Sequence, residues 1–378
     1  MTDIALPVAV CPKNMNVGPC GGVTEDHRCE IDDSMICALL TEPVRQQVIA
    51  SERDLLARIS APLVPERPIS RLHESLLSGR FTVIAEINGA DSADASGTVS
   101  AAQDIAAVAD VVSVTDHSGA NVHMGNVAVS AHLAMAGIEV MTTFGCRDRN
   151  RMALQGDLLG VSSLGVRNVL CVTGNHVQVG DSHEAKPVFD LDSPRLLSIA
   201  EKLRSEGKYD NGRSLDVKPE YLLGATAAPF APPYEERPWH VLRKVRLGAD
   251  FVISQHIFDV ERWNSFLAGV NALRADEKPF WLLGGVAVLP NEQVARAVNA
   301  GLRGFSIPES LLKRLKQAKD PQQEGILIAA ELVVALNEAE GVAGCLIAPV
   351  TGRQNALAAS SEQRDLIAEV RKVAGVPA

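Results

Sequence analysis

The chain has few aromatic residues, no excess of basic charge and no long apolar run, and each shortage argues against a class of partner. Nine Phe, three Trp and three Tyr are present among 378 residues, and 36 basic against 46 acidic side chains give a net charge of −10. Nucleic acids and anionic membrane surfaces select basic surfaces, so neither is expected as the main partner. A small anionic ligand would need local basic groups.

Membrane and secretion signals are also missing. The longest apolar runs fall short of the roughly 20 residues that span a bilayer, and no charged-then-apolar leader with a cleavage site opens the sequence. We therefore expect no membrane span and a location in the reducing cytoplasm, where disulfides are rare.

Cysteine is present but concentrated at one end. Four of the seven cysteines lie in the first 37 residues at nearly even spacing: Cys11, Cys20, Cys29 and Cys37. Thiolates suit zinc or iron–sulfur chemistry, and the glycines between them let the backbone turn tightly around an ion. These four cysteines are therefore predicted to bind a zinc ion or a [4Fe-4S] cluster, with disulfides or unrelated buried thiols as alternatives.

Spacing does not choose the metal, because the two-residue knuckles common in structural zinc sites are missing. His27 is a possible substitute ligand. The remaining thiols, Cys146, Cys171 and Cys345, fall singly in apolar segments and are predicted to lie in the core.

Three units are expected along the chain. Residues 1–60 form a cysteine-rich metal or Fe-S binding domain, residues 61–80 form a linker, and residues 81–378 form the main domain. The linker carries three prolines followed by a short amphipathic stretch, which places the boundary near Pro65.

Eight short apolar segments recur in the main domain, each followed by a helical pattern. They are FTVIAEI from Phe81, DVVSVTD from Asp110, IEVMTTF from Ile138, VRNVLCVTG from Val166, YLLGATA from Tyr221, FVISQHIF from Phe251, FWLLGGV from Phe280 and GCLIAPV from Gly344. Strands this apolar are covered on both faces, so the pattern predicts an α/β fold, a (β/α)8 TIM barrel preceded by the small cysteine-rich domain. An open doubly wound sheet is the alternative, although no G-x-G-x-x-G or phosphate loop supports it.

Helix signals agree with this arrangement. Asp192 or Ser193 precedes Pro194, and Asp320 precedes Pro321, a pattern typical of capped helix starts. Apolar residues recur at helical spacing in two of the intervening segments, at Leu154, Leu158 and Val161 and at Leu327, Ala330 and Val334.

Chemistry in such a barrel collects at the carboxyl ends of the strands. Polar residues are numerous there: Glu86, Asn88, Thr115, Asp116, His117, Thr143, Thr173, Gly174, Asn175, His176, Gln255, His256 and Asp259. A lone carboxylate such as Glu86 at the end of an apolar strand suits a general acid, because burial raises its pKa toward neutrality.

At these positions the chain resembles the methylenetetrahydrofolate reductases, flavin-dependent barrel enzymes of one-carbon metabolism. The resemblance runs from about Phe81 to Val350. It rests on FTVIAEIN, SVTDHSGA, FGCRDRNRMALQGDLLG, NVLCVTGNH, GDSHEAKPVFDLDS and LRKVRLGADFVISQHIFD. The cysteine run resembles the small domain that accompanies such reductases in acetogenic bacteria, and in this chain it precedes the barrel.

The resemblance implies roles for individual residues. Glu86 matches the glutamate that protonates the folate nitrogen, and Gln255 matches a glutamine that contacts the pterin. The implied cofactor is FAD or FMN, with its ring beside Thr115, Thr143, Thr173, Gly174 and Asn175 and its phosphate beside Arg243 and Lys244.

The chain departs from the family pattern at three places. Asn175 replaces an aspartate, Thr143 replaces a histidine, and Gly89 with Ala90 replaces a proline pair. A neutral group near the ring removes a charge that tunes the flavin. The departures raise the alternatives of a different electron donor or of methylfolate oxidation.

The resulting hypothesis is a flavin oxidoreductase that interconverts 5,10-methylene- and 5-methyltetrahydrofolate. Its expected partners are a tetrahydrofolate derivative and, if a cluster is present, ferredoxin or another electron-transfer protein, within an oligomer or hetero-complex. One alternative is an auxiliary folate- or flavin-binding subunit of a larger one-carbon, demethylating or methyl-transfer complex. A corrinoid-linked methyl-transfer enzyme is a further one.

Overall fold

The structure, a computed structural model, describes residues 11–57, 67–301, 304, 306–349 and 361–377. The predicted boundary near Pro65 and the start of the linker lie outside these residues. Across the described part, no helix combines the length and the apolar character needed to cross a membrane.

Eight parallel strands close into a barrel, in the order of the chain. The strands are Thr82–Ile87 (β1), Val111–Val114 (β2), Val140–Gly145 (β3), Asn168–Val172 (β4), Leu222–Ala227 (β5), Phe251–His256 (β6), Trp281–Val288 (β7) and Val342–Pro349 (β8). Each predicted apolar segment overlaps one of them, and β3, β7 and β8 extend beyond their segments. Because β8 pairs with β1, the barrel is closed, and the open-sheet alternative is wrong.

Helices surround the barrel. They are Glu42–Leu56 (α1), Arg71–Leu77 (α2), Ser96–Ala106 (α3), Asn126–Met135 (α4), Arg151–Ser163 (α5), Ser193–Glu206 (α6), Arg237–Arg246 (α7), Val260–Leu273 (α8), Glu292–Gly301 (α9), Glu309–Gln317 (α10), Pro321–Glu338 (α11) and Ser361–Ala374 (α12). Both predicted caps form, since the Asp192 and Asp320 side chains accept backbone N–H groups in the first turns of α6 and α11.

The buried face of α11 agrees only in part with the face expected from the sequence, since Ala330 is buried as expected. Leu327 and Val334 are each 36 % exposed, whereas Ile326 and Val333 are buried against the barrel. Apolar residues occur all around this helix, so spacing alone could not distinguish the two faces. The Leu154, Leu158 and Val161 face of α5 is buried as predicted, and so are Cys146, Cys171 and Cys345.

The amino-terminal end of the barrel is closed by apolar packing and by a buried ionic network. Leu72 and Leu76 of α2 join the side chains that fill the barrel interior. Asp250, just before β6, accepts hydrogen bonds from Arg204 at 2.5 Å and from Lys278 at 2.9 Å. Burial raises the pKa of Asp250, but these two cations outweigh it and hold the pKa below its usual value.

Residues 11–40, the N-terminal segment, have little regular structure. An antiparallel bridge joins Arg28 to Ile36, and a 3-10 turn covers Ala38–Leu40. A small apolar cluster holds the segment together, built from Met15, Val23, Cys37, Leu39 and Val44. The segment packs on the carboxyl-end mouth of the barrel, as its contacts with Asp192, Arg237 and Arg243 show.

Candidate functional site

One cavity of about 330 Å³ lies at the carboxyl ends of the strands, under the N-terminal segment. All nine barrel residues to which the family resemblance gives a role line it: Glu86, Thr115, Thr143, Thr173, Gly174, Asn175, Arg243, Lys244 and Gln255. Among the other strand-end residues, Asp116 and His117 line it, whereas Asn88, His176, His256 and Asp259 do not. Parallel strands in a barrel bring their carboxyl ends to one rim, which explains why residues so distant in sequence meet here.

Glu86 lies near the end of β1, and its side chain lines the cavity. Withdrawal of its carboxyl from water raises its pKa from 4.5 to about 7. Its main-chain oxygen accepts a 2.5 Å hydrogen bond from the Gln363 amide of α12. At neutral pH the side chain can therefore both hold and release a proton, as a general acid must.

Gln255 lies near the end of β6 and faces the same cavity. Its Oε1 atom is buried and has no hydrogen-bond partner among the described residues. A buried acceptor without a donor is costly. This atom is therefore available to an N–H group of a ligand.

The hydroxyl residues are fixed by their neighbours. Thr115 Oγ1 donates to Asn88 at 2.9 Å, and Thr173 Oγ1 accepts the backbone N–H of Ser193 at 3.1 Å. Thr143 is buried, whereas the Asn175 side chain is exposed at the cavity edge. These residues form a polar rim around the opening.

The two predicted basic residues already have partners in the protein. Arg243 donates to the Val17 carbonyl at 2.6 Å and pairs with Glu52 at 2.7 Å. Lys244 donates to the Thr226 carbonyl at 2.5 Å. Burial, followed by the charges of Arg237 and Arg243, lowers the pKa of Lys244 to about 8.

Sequence reasoning missed two further groups on α7. Arg237 and His240 also line the cavity. They precede Lys244 by seven and four residues, a spacing that places all three on one helix face and was a usable signal. Burial lowers the pKa of Arg237 to about 10, so its guanidinium stays charged at neutral pH.

The cavity is electropositive although the chain is acidic. Five basic side chains line it against three carboxylates, namely Lys13, Arg147, Arg237, Arg243 and Lys244 against Glu30, Glu86 and Asp116. Lys13, Arg147 and Arg243 pair with the carboxylates of Glu30, Asp148 and Glu52. Arg237 and Lys244 donate to main-chain carbonyls and have no carboxylate partner among the described residues. These two buried cations favour an anionic ligand, because it supplies the charge compensation that carbonyl partners do not.

The N-terminal segment forms the roof of the cavity. Arg237 donates to the carbonyls of Pro19 at 3.3 Å and Cys20 at 3.1 Å. The backbone N–H of Asn16 donates to Asp192, the cap of α6, at 2.9 Å. The segment is thus tied to two helices of the barrel beside the ligand cavity.

The four N-terminal cysteines meet in a second, smaller cavity, which Cys11, Cys20, Cys29 and Cys37 all line. His27 is exposed and does not line it. Burial raises the pKa of the Cys37 thiol to about 11. Within the described residues, no group of three or more His, Cys, Asp or Glu side chains is positioned to hold a metal ion. The thiols provide suitable ligands without the geometry of a metal site, and metal binding stays a prediction.

Two models of known protein families match the chain, one over the barrel and one over the N-terminal residues. The family model described as Methylenetetrahydrofolate reductase matches residues 91–345. A model described as Methylene-tetrahydrofolate reductase C terminal matches residues 1–62, so a domain named for the carboxyl end of its family lies at the amino end here. None of the curated proteins matches the sequence.

One of the solved structures compared shares the fold. A protein from Clostridium thermocellum, described as binding two copies of 5-methyl-5,6,7,8-tetrahydrofolic acid, is 15% identical with a TM-score of 0.55, over 80% of this chain and 100% of that chain. A tryptophan synthase from M. tuberculosis is 13% identical with a TM-score of 0.44, over 81% of this chain and 99% of that chain. At 15% identity the likeness to the C. thermocellum protein concerns the fold alone.

Proposed function

The chain belongs to the methylenetetrahydrofolate reductase family, and we propose that it interconverts 5,10-methylene- and 5-methyltetrahydrofolate with the help of a bound flavin. The observation that carries this proposal is the meeting of Glu86 and Gln255 in one electropositive cavity. The C. thermocellum structure, described as binding a methylated tetrahydrofolate, is consistent with a folate ligand on this fold.

Glu86 acts as the acid. Its pKa of about 7 keeps a large fraction of the carboxyl protonated at neutral pH. Protonation of a folate nitrogen opens the methylene bridge and leaves an electrophilic iminium carbon, which is ready to accept a hydride. Positioned acids of this kind contribute typically 10²- to 10⁴-fold in rate.

Gln255 orients the pterin. Its unpartnered Oε1 accepts an N–H of the heterocycle. Fixing the ring against Glu86 turns proton transfer into an intramolecular step.

The cavity residues fit a flavin in chemical type. Thr115, Thr143, Thr173, Gly174 and Asn175 would line its ring, while the buried cations of α7 would meet its phosphate. When bound, the flavin supplies hydride transfer. The cavity volume of about 330 Å³ is near the lower end of the range for ligand pockets.

We propose that the four N-terminal cysteines bind a [4Fe-4S] cluster or a zinc ion. A [4Fe-4S] cluster held there would accept electrons from ferredoxin or another electron-transfer protein, whereas zinc would be structural. Cys20 lines both the cysteine cavity and the ligand cavity, which supports a short path between them. We propose a cytoplasmic location and assembly into an oligomer or hetero-complex.

A second candidate function follows from Arg243. This residue, expected beside a flavin phosphate, is engaged by Val17 and Glu52. Together with the neutral Asn175, this favours an auxiliary subunit that binds folate without electron transfer.

Flavin reoxidation distinguishes the two functions. The protein is reconstituted anaerobically with FAD or FMN, the flavin is reduced, and its absorbance is followed after addition of 5,10-methylenetetrahydrofolate. The oxidoreductase returns the flavin band, and Glu86→Gln slows the return by about 10²-fold or more. Folate binding without any return of the band would establish the auxiliary subunit and overturn the redox proposal.

A further inference from the structure

The roof of the ligand cavity carries an ion pair that the barrel does not provide. Lys13 Nζ lies 2.7 Å from Glu30 Oε1, and the two side chains are 8% and 12% exposed. Both residues belong to the N-terminal segment, and both line the ligand cavity. A buried ion pair adds little net stability, because the desolvation of two charges offsets most of their attraction.

The pair sits at the junction of the two cavities. Lys13, Cys20 and Glu30 line the ligand cavity and the cysteine cavity alike. Cys20 Sγ lies 3.4 Å from the same Glu30 oxygen that accepts the hydrogen bond from Lys13. The carboxylate is thereby held by two donors from the segment.

Close packing places this pair on the Gln255 side of the cavity. A Cβ atom added at Gly22 would lie 1.7 Å from Glu30 Oε2, and one added at Gly21 would lie 3.3 Å from Gln255 Nε2. Glu30, the two glycines and Gln255 therefore form a continuous contact from the N-terminal segment to β6. A group that Gln255 orients therefore lies on the side of the cavity that carries the ion pair.

The chemistry of the pair defines what it can recognise. One N–H of the Lys13 ammonium and the Oε1 atom of Glu30 are used in the ion pair. The other N–H groups of Lys13 and the Oε2 atom of Glu30 therefore present a donor beside an acceptor. The complementary ligand edge carries a carbonyl oxygen beside an N–H, as the oxo-substituted pyrimidine ring of a pterin does.

We propose that Lys13 and Glu30 recognise this amide edge of the pterin, with Lys13 donating to the ring carbonyl and Glu30 accepting from the neighbouring N–H. This inference rests on the proposed folate binding. It makes the N-terminal segment a part of the binding site and Lys13 a determinant of ligand specificity.

Two ligands test the inference. Dissociation constants are measured by titration calorimetry for 5-methyltetrahydrofolate and for a 2,4-diaminopteridine analogue, in which an amino group replaces the carbonyl. The wild-type protein should prefer the oxo ligand by about tenfold or more, because a donor in place of the carbonyl faces the ammonium. The ring nitrogen beside that amino group carries no hydrogen, so Glu30 also favours the oxo ligand, and Lys13→Met should reduce the preference several-fold without abolishing it.

Lys278→Met is the matched control. It removes a buried lysine that pairs with a carboxylate at 2.9 Å, at the opposite end of the barrel. This variant should keep the wild-type preference. The ratio of the two constants is the decisive quantity, because partial unfolding weakens both ligands alike.

The outcomes separate the two proposals. If the wild-type protein binds 5-methyltetrahydrofolate and Lys13→Met keeps the full preference for the oxo ligand, the role of Lys13 is overturned and the proposed function stands. If the wild-type protein binds neither ligand, the folate function and this inference fall together.

Discussion

Replacement of Glu86 by glutamine should change the pH dependence of folding stability as well as activity. Burial raises the pKa of this carboxyl from 4.5 to about 7, so between these values the folded protein holds a proton that the unfolded chain releases. The stability contributed by this proton is complete below pH 4.5 and is lost as the pH rises through 7. Glutamine has nearly the same shape and no charge, so Glu86→Gln avoids this loss.

The size of the effect follows from the shift. A shift from 4.5 to about 7 corresponds to about 3 kcal/mol, reached only above pH 7. The free energy of unfolding of Glu86→Gln, relative to wild type, should therefore rise by up to about 3 kcal/mol between pH 4.5 and pH 8. The variant becomes more stable while its folate reduction slows, as expected when an active-site group is held in an unfavourable environment.

Urea unfolding followed by circular dichroism at pH 5 and pH 8, at constant ionic strength, measures the difference directly. Glu340→Gln is the control, because this side chain is exposed just before β8. Its stability relative to wild type should stay constant with pH. An equally constant difference for Glu86→Gln would refute the elevated pKa and with it the acid role.

Three other substitutions test the roof and the base of the barrel. Arg243→Met removes the hydrogen bond to the Val17 carbonyl, and the N-terminal segment should lose about 2 kcal/mol of protection in hydrogen–deuterium exchange while the barrel keeps its own. Unchanged protection would show that this contact does not hold the roof. Gly22→Ala places a Cβ 1.7 Å from Glu30 Oε2, so thermal unfolding should reveal a loss of about 1 to 3 kcal/mol, and a neutral result would contradict the tight packing. Asp250→Asn leaves buried cations without their carboxylate and should cost about 3 to 5 kcal/mol in urea unfolding; a loss below about 1 kcal/mol would argue against the ionic network.

The barrel was predictable because its strands are nearly uninterrupted apolar runs, which only a sheet covered on both faces accommodates. The starts of α6 and α11 were predictable from local sequence, because an aspartate that caps a helix stands near a proline in the first turn of each. The buried face of α11 was predictable only in part, because Leu327 and Ile326 are equally apolar neighbours and tertiary packing chooses between them.

The site residues that the barrel contributes were predictable from the sequence, whereas those that the N-terminal segment contributes were not. Strand-end residues such as Glu86 and Gln255 share one rim by topology alone. Lys13 and Glu30 reach the same cavity through packing of the N-terminal segment, and no spacing in the sequence encodes that contact. The cysteines indicate ligand type, but the geometry of four sulfurs depends on how an irregular segment folds.

The central claim is that the cavity beneath the N-terminal segment binds the folate. A crystal structure of the protein with 5-methyltetrahydrofolate tests it most directly. We expect the pterin between Glu86 and Gln255, with an N–H of the ring donating to Gln255 Oε1. A ligand bound elsewhere on the molecule, with this cavity holding water alone, would contradict the account.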